Sequence, residues 1–183
     1  MAIALFAFAP DLANATPSAR LLVDGSVGVE VPIAGTTYRD YYLPWPDVGL
    51  SLGAEIWIGR HFGLAPEITL DGGPYFEQHS TAVTTGAFRI RPGLRLLCRF
   101  GHGHAFFARF LTGAEILAFG PGGRQGSGTV NAGFAGEPGV GMQFHVARHT
   151  VLGFLVATPF SFHTFATTEP DVNFAVRFFV GRR

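Results

Sequence analysis

Acyl transfer is the sharpest chemistry this sequence offers, and it rests on Ser161 and His163. They stand two apart in Phe160-Ser-Phe-His163, so on a strand they share a face, and Glu169 follows closely. A serine activated by a histidine that an acid orients is the minimum for a hydrolase nucleophile. No further motif accompanies the pair, and polar residues at a strand end give the same pattern. His102 and His104 flank Gly103, but two histidines fall short of the three or four ligands a metal site needs. Cys98 is the single cysteine, so there is no disulfide within the chain and no cysteine cluster. Its place among apolar alternate residues predicts a buried, inert thiol. The stretch GPGGRQGSG, Gly120 to Gly128, lacks the Lys-Ser/Thr ending and the following helix of a phosphate loop. It reads as a flexible loop. No cofactor and no metal are implied.

A second chemistry is written in opposed charges. Asp24, Glu30, Glu55, Glu67, Asp71, Glu115 and Glu137 stand against Arg89, Arg91, Arg95, Arg99, Arg109 and Arg177. Each lies on the polar face of an alternating segment. In a small barrel that face lines a lumen just wide enough for side chains. Buried opposite charges need one another, so they should pair and plug it. An ion path or a binding site is the functional alternative. The expected network is Glu30, Glu55, Glu67, Arg91, Arg95, Arg109, Glu115, Glu137 and Arg177. Placing Phe100 opposite Phe106 puts Arg91 opposite Glu115, with Glu67 approaching Arg95 from the other side.

The elements that position these charges are strands. In Val48 to Asp71, Val48, Leu50, Leu52, Ala54, Ile56 and Ile58 alternate with polar or small residues. After Gly59-Arg60-His61 the alternation resumes through Phe62, Leu64, Pro66, Ile68 and Leu70. A period of two gives one apolar and one polar face, and so short a break allows only a hairpin. The pattern recurs over about 20–31, 86–100, 105–119, 131–147, 151–162 and 172–181, making eight strands. Connections alternate long and short, and no charge falls on any apolar face. Aromatic residues gather at strand ends: Trp57, Phe62, Phe100, Phe106, Phe144 and Phe178 beside short turns, and Tyr41, Tyr42, Trp45, Tyr75, Phe76, Phe119 and Phe162 beside long loops. These predict two interfacial girdles. Pro66, Pro92 and Pro138 lie inside strands, where each removes a ladder donor. Bulges or interrupted pairing are expected there. Residues 1–15, ending Ala13-Asn14-Ala15, read as a secretory signal with an incomplete start. Residues 16–183 read as one domain.

Composition narrows the class. Charged residues make up 14% of 183 residues, against ~25% in an average soluble domain. Every one of the 13 Lys+Arg is arginine, and the formal net charge is zero. Neutrality removes the electrostatic case for a nucleic-acid partner. Outside the N-terminal stretch, no apolar run approaches the ~20 residues of a spanning helix. An apolar chain without a helical span is what a membrane-spanning barrel requires. The opposite assignment of faces would give a soluble, lipocalin-like barrel with an apolar cavity.

The unit GLSLGAEIWIGRHFGLAPEITLDGG, the alternating loops and the closing NFAVRFFVG resemble the small OmpA/OmpX-like outer-membrane β-barrel superfamily, over Leu21 to Gly181. The resemblance implies an all-β, eight-stranded antiparallel up-and-down transmembrane barrel, with short periplasmic turns and longer external loops. It also implies a bacterial outer-membrane location, contact with outer-membrane lipid, a monomer, and a structural, adhesive or surface-interaction role rather than catalysis. Some such barrels modify lipids, which is where Ser161 and His163 would matter. The chain departs from the pattern by ending Val-Gly-Arg-Arg instead of on an aromatic residue.

Overall fold

A computed structural model describes residues 18–35, 43–76, 83–101, 103–119, 130–163 and 170–183. The expected signal segment lies outside them, as do Tyr41, Tyr42, His102, Glu169 and the 120–128 loop. The described residues form nine strand segments: β1 (Ser18–Ala34), β2 (Trp45–Ile58), β3 (Phe62–Phe76), β4 (Val83–Phe100), β5 (His104–Phe119), β6 (Val130–Ala147), β7 (Thr150–Ala157), β8 (Phe160–His163) and β9 (Asp171–Arg182). Neighbours pair antiparallel in chain order, and β9 returns to β1. Segments β7 and β8 occupy one position between β6 and β9. The ring therefore has eight staves, the seventh broken at Thr158-Pro159.

Ladder partners can be followed once around the wall. Ala19, Ile56, Leu64, Leu96, Ala108, Val140, Val156 and Val176 lead to Val29, ten residues beyond the start. That stagger tilts the strands and closes the sheet. The row it traces is wholly apolar and faces outward. Leu50, Leu52 and Leu94 are each 41% exposed on that face. Glu30, Glu55, Arg91, Glu115 and Glu137 are 0% exposed on the other. The inverted, lipocalin-like assignment is thereby excluded. Cys98 also lies on the outer face and is exposed, so no protein packing buries its thiol. The expectation of a buried cysteine is corrected: the strand's parity turns it away from the lumen.

Short and long connections alternate as expected. Short turns join β2 to β3, β4 to β5 and β6 to β7; longer connections join the other staves. Both ends of the described chain, Ser18 and Arg183, lie on the short-turn side. Gly101 and Gly103 adopt φ of 54° and 103°. Two positive-φ glycines let the chain reverse within three residues.

Pro66, Pro92 and Pro138 all point outward. Pairing lapses between Gly53↔Glu67 and Ile56↔Leu64, and between Ile90↔Ala114 and Gly93↔Leu111, with the register unchanged across each gap. Opposite Pro138 the wall breaks at Thr158-Pro159, where the Thr158 amide still donates to the Pro138 carbonyl at 3.0 Å. Each proline thus costs local pairing without a bulge. The register shifts fall elsewhere, at Pro32/Ala34, Tyr75/Phe76 and His145/Ala147.

Candidate functional site

The lumen holds the chain's concentrated chemistry, and strand parity puts it there. One odd-numbered set, Arg89, Arg91, Arg95, Arg109, Glu115, Glu137 and Arg177, belongs to staves whose outward residues are even-numbered. The side chains form two webs.

The web nearer the long loops is centred on Glu30 and Glu115. Arg89 donates to both oxygens of Glu30, at 2.6 and 2.9 Å, and its Nε donates to Glu115 at 2.9 Å. Tyr75 takes a bond from Arg89 at 2.7 Å and gives one to Glu115 at 3.1 Å. Arg177 bonds to Glu30 and Asp47, and to Glu137 at 2.5 Å. Arg91 lies 3.0 Å from Glu137 and also bonds to Asp71; Arg109 bonds to Glu137. The Tyr75 ring packs on Trp45 with centroids 4.0 Å apart.

The web nearer the short turns is smaller. Arg95 donates to Glu67 at 2.6 Å and to Asp24 at 3.1 Å. Arg183 also reaches Asp24 and bonds to Glu55 at 2.5 Å, and Gln143 donates to the same Glu55 at 3.0 Å. Trp57 donates to Glu55 at 3.3 Å, and the Arg99 guanidinium stands 3.8 Å over the Trp57 ring. Between the webs Arg95 stacks on Phe107 and Phe179, 4.7 and 5.7 Å from their centroids. The cavity left there, lined by Asp24, Arg95, Arg109, Arg177 and the two rings, has a volume of about 10 Å³. That is room for about one water molecule.

All nine expected network residues lie in these webs, and Glu67 meets Arg95 as anticipated. The Arg91–Glu115 pair does not form. Because the turn reverses within three residues, Phe100 pairs with His104 and Cys98 with Phe106. The register therefore sets Arg89 opposite Glu115. Phe100 and Phe106 become diagonal neighbours, with ring centroids 4.5 Å apart. Three aromatic residues assigned to girdles instead face the lumen: Trp45, Trp57 and Tyr75 are 1%, 2% and 0% exposed. Their numbers share the parity of Asp47, Glu55 and Asp71, a signal that outweighs position along the strand. The same parity would have found Asp47 and Arg183. By contrast Phe62, Phe106 and Phe162 do face outward near strand ends.

Ser161 and His163 both point inward and are buried. The acid beside His163 is Glu115, whose Oε2 lies 3.1 Å from Nε2. Glu115 also carries Arg89 and Tyr75, so it serves the web as well as the histidine. Glu30, Asp47 and Asp71 bring carboxylate oxygens within 4.8 Å of one another, but Arg89, Arg91 and Arg177 already bind them. Their charge is met by guanidinium, not by a cation site.

No protein-family model and no curated protein matches the sequence. Solved structures do match the fold. The crystal structure of Neisserial surface protein A superposes with a TM-score of 0.61 at 9% identity, covering 90% of this chain and 98% of that one. The chain has the fold of a small outer-membrane β-barrel. Ail, the attachment invasion locus protein of Yersinia pestis, superposes at 0.51 and 10% identity, covering 90% of this chain and 96% of that one. In complex with the heparin analogue sucrose octasulfate, Ail superposes at 0.57 and 12% identity, covering 90% and 97%. In transmembrane barrels an apolar outer band meets hydrocarbon and the interior is polar.

Proposed function

We propose that this chain is a bacterial outer-membrane barrel that neither conducts nor catalyses, and that its work is done by the surface its long loops present. The observation that carries the reading is the filled lumen: two ion-pair webs with space for about one water between them. A wall of 14 to 18 residues in β2 to β6 exceeds the ~10 residues the apolar band needs. Taking the outward phenylalanines beside the short turns as one interface, we assign the surplus to the long-loop side, where it would lift the loops clear of lipid. The Ail complex makes a sulfated glycan the first partner class to try. The barrel is read as a monomer following a cleaved N-terminal signal.

Two measurements test this. In planar bilayers the refolded barrel should give no discrete conductance steps; regular open-channel steps would overturn the sealed-lumen reading. Cells displaying the barrel should be retained on immobilised heparin, and cells displaying it without residues 121–127 should be retained less. Equal retention of barrel-free cells would remove the glycan from the proposal. The His163–Glu115 contact keeps one second reading in play, a lipid hydrolase with Ser161 as nucleophile. Release of fatty acid from phospholipid vesicles that Ser161→Ala abolishes would favour it.

A further inference from the structure

Overall neutrality conceals a segregation of charge. All nine described carboxylates are buried. Six of the described arginines are buried with them; Arg99 is half-buried, and Arg20, Arg60, Arg148 and Arg182 are exposed.

These last five occupy one place. Arg20 is two residues into β1 and faces Glu55 in the ladder. Arg60 is at the centre of the β2–β3 turn, Arg99 precedes the last residue of β4, and Arg148 is in the β6–β7 turn. Arg182 ends β9 opposite Thr150. All five therefore lie at the short-turn end: Arg20 and Arg99 share the lumen-facing side of Glu55 and Trp57 at the mouth, whereas Arg60 and Arg148 sit in the turns and Arg182 has outward parity with Val23. Glu55, the nearest carboxylate in register, is fully buried and held by Arg183, Gln143 and Trp57. Arg20 acts on Arg99 as an unfavourable like charge and Glu55 as a favourable one, and the Arg99 guanidinium has a 3.5 Å contact to the Arg60 carbonyl beside its place over Trp57. Among the described residues no exposed Asp or Glu side chain stands at this end.

An end of the barrel that exposes like charge attracts a counter-anion. Its depth says which anion is at hand. Phe62 and Phe106 point outward next to the same turns, 37% and 50% exposed, and such aromatics mark the membrane–water interface. Arg60 and Arg148, in the turns themselves, lie beyond these rings along the chain. We propose that the short-turn rim is a collar for the phosphodiester headgroups of anionic phospholipids in the adjoining leaflet. The planar guanidinium fork matches phosphate, and its weak hydration suits an interface. The collar rests on the membrane-spanning part of the proposed function, and is independent of what the loops bind.

The test is lipid selectivity. The barrel is refolded in detergent containing equimolar phosphatidylglycerol and phosphatidylethanolamine, and retained lipids are counted by native mass spectrometry. The wild type should retain phosphatidylglycerol in excess of phosphatidylethanolamine. The triple variant Arg60→Gln/Arg148→Gln/Arg182→Gln should lower that excess by about tenfold or more, since each basic residue near a membrane surface adds to the attraction for anionic lipid. Heat-modifiable gel migration establishes that the variant is folded. Raising salt to about 0.5 M should erase the wild-type preference, because the Debye length shrinks well below 10 Å. No preference in the wild type, or an unchanged preference in the folded triple variant, overturns the collar. If the variant does not fold, the salt titration decides: a preference that survives it overturns the proposal. Failure of the wild type to insert into phosphatidylcholine vesicles would instead overturn the membrane-spanning reading itself.

Discussion

The two lumen webs are built from the same residue types but differ in redundancy. In the loop-side web most charges have several partners. Arg89 meets Glu30, Asp71 and Glu115; Arg177 meets Glu30, Asp47 and Glu137. Arg109 is the exception, with Glu137 its ion-pair partner among the described residues. In the turn-side web Asp24 joins two arginines that each keep another carboxylate, Glu67 for Arg95 and Glu55 for Arg183. The lesson is that the number of contacts at a residue does not set the cost of losing it. What sets it is whether a buried charge is left without a partner.

This comparison can be broken most severely at Glu137. Glu137→Ala strands Arg109 and should cost about 3–5 kcal/mol in urea unfolding of the barrel in lipid vesicles. A cost under about 1 kcal/mol would mean water reaches the web. Next, Leu94→Arg should cost ~2–4 kcal/mol by the same measurement, because the outer face near mid-bilayer excludes charge. An unchanged midpoint would put Leu94 outside the hydrocarbon. Asp24→Ala should cost less, about 1–3 kcal/mol, since neither of its arginines is stranded. A loss equal to that of Glu137→Ala would erase the distinction between the webs. The smallest effects are couplings. A double-mutant cycle on Arg89 and Glu115 should return an interaction of ~0.5–3 kcal/mol, whereas Asp24 with Glu115 should be additive within about 0.5 kcal/mol. Coupling of Glu115 to Asp24 would mean the Phe107–Phe179 layer does not separate the webs.

Strand parity carried most of what was legible. It put Glu30, Glu55, Glu67 and Arg177 on the inner face and Leu50 and Leu94 on the outer one. Where a second cue competes with it, as for Trp57 and Tyr75 near strand ends, the residue still follows parity. Side chains on a strand alternate by covalent geometry, whereas interfacial placement of a ring is a weak preference that lumen packing overrides.

The sequence by itself determined the faces, the stave number, the alternation of turns and the charge content of the lumen. These follow from local periodicity, with each residue's side fixed by its immediate neighbours. Only the tertiary structure decided which charges meet. Arg89 instead of Arg91 faces Glu115 because two glycines close the β4–β5 turn within three residues. Arg177 reaches Glu30 on the adjoining β1, Asp47 on β2 beyond it, and Glu137 on β6 across the opposite neighbour, because the ten-residue stagger and the curvature of the wall bring them to one depth. Register and closure are sums over the whole ring, and no single segment of the chain contains them.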